Sequence, residues 1–254
     1  MEGFIKFLGT AGARVVVAKQ LRASGGIWLS LDGTNILIDP GPGSLVHCFR
    51  SRPKLDPTTL DGIVLSHKHL DHAADINVMM EAMTIGGHER KGVVLAPGDA
   101  LSGSDPVIYK YVRGYVNRIE QLKAKGKYRI GGVEISTSVR HHHGVETYGL
   151  IFKGKSGPKI AYITDTKFFP GLAANYKKTD IVIISVLTPQ PSPFDHLCLE
   201  DVKAIVKTLK PKTVILTHFG MRLIAAKPWL AAAELSRELK TKIIAASDGL
   251  TFKL

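Results

Sequence analysis

The sequence has few cysteines and lacks a long apolar run. Two cysteines occur among its 254 residues, Cys48 and Cys198, and they are far apart in the sequence. This excludes a cysteine-based metal motif and does not indicate a disulfide framework. No stretch approaches about 18 uninterrupted apolar residues, so we expect no transmembrane helix and no membrane partner. The amino-terminal residues lack the basic and apolar pattern of a signal peptide, and we therefore expect a cytoplasmic protein.

Acidic residues are in the minority. The chain carries 34 lysines and arginines against 22 aspartates and glutamates, which gives a formal net charge of +12. A basic balance favours anionic partners such as phosphate esters, nucleotides or nucleic acid. With 44% hydrophobic residues, the chain is long enough for one large core, and no linker or low-complexity tract divides it. We therefore expect residues 1–254 to form a single domain.

Short apolar segments between turn residues predict a sheet-rich α/β or α+β fold. The predicted strands are Phe4–Leu8, Ile27–Leu31, Asn35–Asp39, Gly62–Ser66, Val93–Ala96, Val133–Val139, Tyr148–Lys153, Lys159–Thr164, Ile181–Val186, Thr213–Thr217, Lys242–Ser247 and Leu250–Lys253. Asp32-Gly33 and Gly131-Gly132 each predict a tight hairpin turn.

Four segments show features that predict helices. Leu199–Leu209 has an apolar face opposite its lysines, and Pro228–Leu239 begins with proline near its first turn. A third helix is predicted after His72, through Met83, because its apolar residues recur at helical spacing. A fourth is predicted over Val107–Lys125.

Histidine is concentrated in the run Ser66-His67-Lys68-His69-Leu70-Asp71-His72. Imidazole and carboxylate side chains bind borderline transition metals at neutral pH. His67 and His69 are two positions apart and can converge on one ion, while Asp71 and His72 can face a second. The run follows the apolar residues 62–65, which predict a buried strand. It therefore predicts a metal site at the carboxyl end of a strand, where open α/β sheets place their sites.

Three further predicted strands end in side chains that bind metals. Arg140-His141-His142-His143 follows one strand, Asp165 closes another, and His218 closes a third. Each residue alone has a simpler explanation, since an aspartate often caps a helix and a single histidine is often structural. Four such strand ends in one chain predict a shared site.

The pattern resembles the metallo-β-lactamase superfamily, whose hallmark is His-x-His-x-Asp-His. This chain carries the hallmark as His67, His69, Asp71 and His72. A histidine, an aspartate in "YITDT" and a histidine in "LTHFG" follow in the order of the family. The resemblance covers nearly the whole chain and is strongest to tRNase Z and the phosphoribosyl cyclic phosphate phosphodiesterases.

The resemblance implies an α+β fold, a four-layer αβ/βα sandwich with a binuclear metal site at one edge of two sheets. It implies that His67, His69 and His143 hold one divalent ion. Asp71, His72 and His218 would hold the other, with Asp165 between the two. The metal is usually zinc, with manganese and iron as alternatives.

Two assignments within this site stay open. His143 lies six positions before Gly149, like the ligand in the tRNase Z branch, but His141 would share a strand face with it. Asp39 either orients a ligating imidazole through its free N–H or only caps the turn before Pro40-Gly41.

Two residues are candidate catalytic groups. Asp71 would align an attacking hydroxide that bridges the two ions, or accept its proton. His196 lies 22 positions before His218, and this placement resembles that of the extra histidine of phosphodiesterases in the superfamily. That histidine contacts the scissile phosphate or assists the leaving group. The simpler alternative is that His196 only helps to start a helix.

The expected function is hydrolysis of a small or nucleotide-type phosphodiester. The alternatives are hydrolysis of a lactone or thioester and a non-catalytic nucleic-acid-binding or regulatory module. His143 and Asp165 are only 22 positions apart, and Gly154–Pro158 predicts a tight turn. Bacterial-type tRNase Z has a long tRNA-gripping arm in this part of the chain, so no such arm is expected here.

Nucleic acid and a homodimer stay open as partners beside a small anionic substrate. The segment Tyr109–Arg129 carries seven lysines and arginines, one acidic residue and four interleaved tyrosines. Such a segment can bind nucleic acid through phosphate contacts and stacking. The alternative is an amphipathic helix with a solvated basic face, because apolar residues recur at helical spacing from Val112 to Leu122.

Overall fold

Two mixed seven-stranded sheets form the framework of residues 3–254, the part of the chain that this computed structural model describes. The first sheet has the spatial order β14 (Thr251–Lys253), β1 (Phe4–Phe7), β2 (Ile27–Leu31), β3 (Thr34–Ile38), β4 (Gly62–Val64), β5 (Val93–Ala96) and β6 (Arg118–Gln121). The second has the order β13 (Lys242–Ala245), β12 (Thr213–Thr217), β11 (Ile181–Ser185), β10 (Ile160–Ile163), β9 (Tyr148–Lys153), β8 (Val133–Arg140) and β7 (Lys127–Ile130). Strands β3 to β6 pair in parallel, as do β10 to β13, and the other neighbours pair antiparallel.

The described helices lie between and outside these strands. They are α1 (Ala13–Ala18), α2 (Ser44–Arg50), α3 (Leu70–Ala73), α4 (Ile76–Met83), α5 (Gly98–Leu101), α6 (Leu199–Leu209), α7 (Met221–Ala225) and α8 (Pro228–Leu239). Short 3-10 helices occupy Pro57–Thr59, Tyr111–Tyr115 and Ala173–Tyr176. No helix within residues 3–254 is both long enough and apolar enough to cross a bilayer.

Alternating apolar residues give the fold its layers. One face of each sheet points inward, so that side chains such as Phe7 and Phe152 meet in a core between the sheets. The outer face of the first sheet packs against α2, α4 and the turn at Tyr111–Tyr115. The outer face of the second packs against α6 and α8. The result is a four-layer αβ/βα sandwich, as the resemblance implied.

The strand and turn predictions are confirmed to within two residues at the strand ends. Leu31 pairs with Thr34, which leaves Asp32 and Gly33 as a two-residue hairpin loop. Both loop residues have positive φ, 49° and 76°, which such a turn requires. Gly131-Gly132 likewise joins β7 to β8. The helices Leu199–Leu209 and Pro228–Leu239 have the predicted bounds.

The predicted helix over Val107–Lys125 is wrong. The structure has a 3-10 turn at Tyr111–Tyr115, followed by β6, which pairs in parallel with β5. The apolar residues are spaced as in a helix but do not share one face, because Val112 packs outside the first sheet and Leu122 lies between the sheets. Pairing with β5 therefore overrides the local periodicity. Strand β7 and helices α1, α2, α5 and α7 were not predicted.

The topology brings several strand ends to one edge of the sandwich. Parallel strands β10 and β12 end at the same edge of the second sheet, and β4 of the first sheet ends close by, since Tyr148 N donates to Ser66 O. The segments after these strands carry the histidines and aspartates that were predicted to bind metal. This edge is therefore where the candidate site is assembled.

Candidate metal centre

Four chain segments bring the predicted ligand side chains together just beyond strands β4, β8, β10 and β12. The residues form two adjoining groups whose nitrogen and oxygen atoms lie within 4.8 Å of one another inside each group. The first group consists of His67, His69 and His143, and the second of Asp71, His72, Asp165 and His218. Helix α3 begins directly after His69 and carries Asp71 and His72 in a single turn.

In the first group, three imidazoles face one another. His143 Nε2 lies 2.9 Å from His69 Nδ1. His67 is fully buried, and its Nε2 has no hydrogen-bond partner. His143 Nδ1 donates to the backbone carbonyl of Asp195 at 2.9 Å, which leaves Nε2 as the nitrogen with a free lone pair. The three rings thus present lone pairs to a common point.

In the second group, two imidazoles lie beside two carboxylates. His72 Nε2 is 3.1 Å from His218 Nε2, and His218 Nε2 is 3.3 Å from Asp71 Oδ2. The side chain of Asp71 is 16% exposed, so this group is open to solvent on one side. The arrangement supplies both nitrogen and oxygen ligands for a second ion.

Asp165 joins the two groups through one oxygen. Its Oδ2 lies 3.2 Å from His218 Nε2 and 3.4 Å from His72 Nε2 in the second group. The same oxygen lies 3.7 Å from His143 Nε2 and 3.9 Å from His67 Nε2 in the first. Asp165 is almost fully buried. Its carboxylate is therefore placed to be shared between two ions.

The protonation states of the first group suit metal binding. Burial lowers the pKa of His67 well below its usual value, lowers that of His69 to about 4, and lowers that of His143. Burial alone would raise the pKa of Asp165, but His218 and His72 together hold it well below its usual range. Neutral imidazole and ionised carboxylate are the forms that bind metal.

The second group attracts positive charge. Burial alone would lower the pKa of His72, but the carboxylates of Asp71 and Asp165 raise it well above its usual value. Asp39 adds a third carboxylate, 2.9 Å from His72 Nδ1. A divalent cation at this point would satisfy the same field, and a cation in the first group would give the unpartnered His67 Nε2 a ligand role. The buried cluster is thus consistent with a binuclear metal site.

Asp39 hydrogen-bonds to one member of the cluster, His72, and to Ser66, the residue before His67. Its Oδ2 accepts from His72 Nδ1 and from Ser66 Oγ at 2.7 Å, and its Oδ1 accepts from Ser66 N at 2.6 Å. These contacts favour the interpretation that Asp39 orients an imidazole over that of a simple turn cap. Donation from Nδ1 leaves His72 Nε2 free to bind a metal.

Replacing Asp39 with asparagine is expected to weaken metal binding about tenfold, the lower end of the range for residues that orient metal ligands. The residue has φ of +50°, which asparagine tolerates, but an amide has one acceptor oxygen for three donors. Chelator competition with the wild type and Asp39→Asn measures the change. Equal affinity in the two proteins would show that the Asp39–His72 bond does not tune the site.

His141 and His142 do not join the ligand groups. His141 Nδ1 bonds to the backbone carbonyl of Asp165, and its Nε2 lies 2.6 Å from the hydroxyl of Tyr176. His142 is exposed, and its ring stacks on Phe169 at a centroid distance of 4.3 Å. Of the three adjacent histidines, the structure thus brings His143 into the cluster.

His196 lies at the open side of the cluster. Its Nε2 is 3.2 Å from Asp165 Oδ2, and its side chain is 16% exposed. Its ring stacks on that of His218 with the centroids 5.6 Å apart. Burial alone would lower the pKa of His196, but the carboxylate of Asp165 raises it above the usual value. The side chain can therefore contact both solvent and the cluster.

The basic segment Tyr109–Arg129 does not form one helical face. The guanidinium of Arg113 turns inward and donates to Leu101 O at 2.5 Å. Arg118 pairs with Glu120, and Arg129 pairs with Glu134. Arg118, Lys127 and Arg129 line a groove of about 880 Å³ across β6 to β10, where two glutamates partly offset the basic residues.

Several residues that hydrogen-bond to the cluster or to its neighbours were not predicted from the sequence. Ser66 Oγ bonds to Asp39, to His67 Nδ1 and to Thr164 Oγ1. Tyr176 reaches His141 from a 3-10 turn. Serine, threonine and tyrosine at such positions carry no pattern of their own, so only the tertiary contacts reveal these roles.

Comparisons with known proteins agree with this architecture. Residues 34–219 match the family model described as the beta-lactamase superfamily domain. The chain is 26% identical to an uncharacterized protein of Methanocaldococcus jannaschii, an alignment covering 98% of this chain and 94% of the relative. It is 24% identical to a ribonuclease Z of Clostridium tetani, with 85% and 88% covered.

Solved structures show the same fold at low sequence identity. The metallo-beta-lactamase fold protein YhfI from Bacillus subtilis superposes with a TM-score of 0.80 and 18% identity, and all of both chains is covered. A diphosphatase from the PhnP family superposes with a TM-score of 0.73 and 22% identity, covering 100% of this chain and 98% of the other. These similarities extend over the whole described chain, including both sheets.

Proposed function

Because this chain belongs to the metallo-β-lactamase superfamily, we propose that its histidine and aspartate cluster holds two divalent metal ions and hydrolyses phosphodiesters. Each ion would be held by three side chains of one group, with Asp165 shared between them. The first set is His67, His69 and His143, and the second is Asp71, His72 and His218. Imidazole nitrogens with carboxylate oxygens favour zinc, and manganese or iron suit the same ligands.

The chemistry needs a nucleophile and charge neutralisation. Two ions, when bound, would supply hydroxide at neutral pH and would stabilise negative charge on phosphoryl oxygens. Asp71 is the carboxylate of the cluster that reaches solvent, so it can orient the nucleophile and accept its proton. His218 Nε2 lies 3.3 Å from this carboxylate, so the two side chains face the same candidate metal position.

The observation that carries the proposal is the position of His196. A ring nitrogen 3.2 Å from the shared carboxylate, on a partly exposed side chain, lies where a substrate would contact the cluster. From there His196 can bind a phosphoryl oxygen or donate a proton to the leaving oxygen. The segment Pro191–Asp195 leads into His196, and Asp195 O accepts from His143, which ties this segment to the first group.

The substrate class follows from charge and from a short connection. The net charge of +12 favours an anionic substrate. Strands β9 and β10 are joined by residues 154–159 alone, which leaves no room for a long tRNA-binding arm at this position. A small or nucleotide-type phosphodiester fits these features. The relative named ribonuclease Z and the structure named a diphosphatase both carry names that denote phosphate substrates.

We expect metal-loaded protein to hydrolyse bis(p-nitrophenyl) phosphate and a cyclic nucleotide in preference to lactones and thioesters. The readout is kcat/KM on each substrate with the same zinc-loaded preparation, and a chelator-treated sample is the control. Acyl hydrolysis without phosphodiester hydrolysis would contradict the proposal and would assign the site to lactones or thioesters. Absence of both activities after metal loading would favour a non-catalytic module.

A further inference from the structure

His141 lies next to the cluster, and both of its ring nitrogens form hydrogen bonds with other groups of the protein. Its side chain is almost fully buried. Nδ1 is 3.1 Å from the backbone carbonyl oxygen of Asp165, and Nε2 is 2.6 Å from Tyr176 Oη. Since a carbonyl oxygen only accepts, Nδ1 carries the proton and donates. Nε2 of the neutral ring therefore accepts from the hydroxyl of Tyr176.

The surrounding fold is shaped to admit this pair. Tyr176 is fully buried at the end of the 3-10 turn Ala173–Tyr176. Gly149 of β9 lies against it, and a Cβ at that position would overlap the Tyr176 hydroxyl and crowd His141 Nε2. Gly149 N in turn donates to Ser138 Oγ at 3.0 Å. Two strands and a turn thus meet around the His141–Tyr176 contact.

Asp165 needs support because it lies beyond the end of β10. The strand ends at Ile163, so the sheet ladder does not hold Asp165. Instead, the segment after β8 binds the segment after β10. His142 N donates to Thr166 Oγ1 at 3.1 Å, and Lys167 N donates to His142 O at 2.8 Å. The His141 ring adds the contact at Asp165 itself.

We propose that His141, oriented by Tyr176, is a positioning residue that fixes the backbone of Asp165 and thereby the carboxylate shared by the two metal positions. The inference rests on the proposed function and extends it to residues outside the ligand groups. A shift of the Asp165 carbonyl would move the carboxylate relative to four imidazoles at once, because its Oδ2 lies within 3.9 Å of a nitrogen in each. Affinity for both ions would therefore fall together.

Two substitutions at His141 separate positioning from packing. The amide nitrogen of asparagine can take the place of Nδ1, so His141→Asn keeps a donor toward Asp165 O. The longer glutamine places its amide near the position of Nε2, so His141→Gln contacts Tyr176 but loses the bond to Asp165. We expect His141→Gln to weaken metal binding about tenfold and His141→Asn to stay within about threefold of the wild type.

The readouts are cobalt affinity by chelator competition, the visible spectrum of the cobalt-loaded protein, and the Tm of the metal-free protein. His142→Gln is the matched control, because that neighbouring ring is exposed. Tyr176→Phe is a milder second variant that keeps the ring and removes the hydroxyl, and it should weaken binding about threefold. It also tests the inference if His141→Gln does not fold.

The outcomes distinguish this inference from the proposed function. Equal cobalt affinity and spectra in the wild type, His141→Gln and Tyr176→Phe would overturn the positioning role. Equal losses in His141→Asn and His141→Gln would also overturn it, because a direct ligand or a packing residue behaves that way. A wild-type protein that binds no cobalt would instead overturn the proposed function on which the inference rests.

Discussion

Replacing Asp165 with alanine is expected to abolish stable binding of both metal ions and to lower kcat/KM for a phosphodiester by about 10³-fold or more. The shared oxygen lies within 3.9 Å of imidazoles in both ligand groups, so its removal weakens two positions rather than one. The rate estimate corresponds to the loss of at least one preorganised electrostatic group at the reacting centre. Metal content by elemental analysis and kcat/KM on bis(p-nitrophenyl) phosphate measure the effect.

Asp180→Ala is the matched control for this variant. Asp180 also lies next to a strand of the second sheet, but its partly exposed carboxylate pairs with Lys212 at 2.9 Å. Exposed ion pairs contribute little to stability, so metal content and rate should match the wild type. Two ions retained in Asp165→Ala would contradict the role of Asp165 as the shared ligand.

Replacing His196 with alanine is expected to lower kcat by about 10²- to 10⁴-fold while both metal ions stay bound, the range for loss of a general acid. The side chain contacts the cluster through Asp165 but lies at its solvent side. Its removal should therefore affect substrate conversion more than metal affinity. Single-substrate kinetics and elemental analysis on the same preparation separate the two effects.

His142→Ala is the control for His196→Ala, since it also removes an imidazole near the site but from an exposed ring stacked on Phe169. Metal loss in His196→Ala would instead make His196 a ligand, for which its position beside His143 and Asp165 gives a geometric basis. A lower Tm with unchanged kcat would support the simpler role of starting helix α6.

The part of the cluster that the sequence made easiest to predict consists of residues that are close in the chain. His67, His69, Asp71 and His72 follow one buried strand, so their meeting depends on a few residues of local geometry. His143 was harder to separate from His141. Alternation along a strand would give the two residues the same face, but β8 has an irregular register between Thr137 and Arg140 and then ends. Beyond that point the alternation no longer determines where a side chain points.

Long-range pairing accounts for most of what the sequence did not predict. The segment Val107–Lys125 has helical spacing, yet Arg118–Gln121 pairs with β5 and forms the edge strand of the first sheet. Tyr176 gave no signal because its role depends on contacts with His141 and the close approach of Gly149. Such contacts join residues far apart in the chain, and composition or periodicity does not encode them locally.

The most direct test is the hydrolysis of bis(p-nitrophenyl) phosphate by chelator-stripped protein as zinc is returned in steps. The proposed binuclear site predicts no activity without metal, and a rise that levels off at two equivalents per chain. Cobalt or manganese should restore activity with the same stoichiometry, because the same ligands hold either ion. Activity that survives complete stripping, or no activity with any of the three metals, would contradict a two-metal phosphodiesterase.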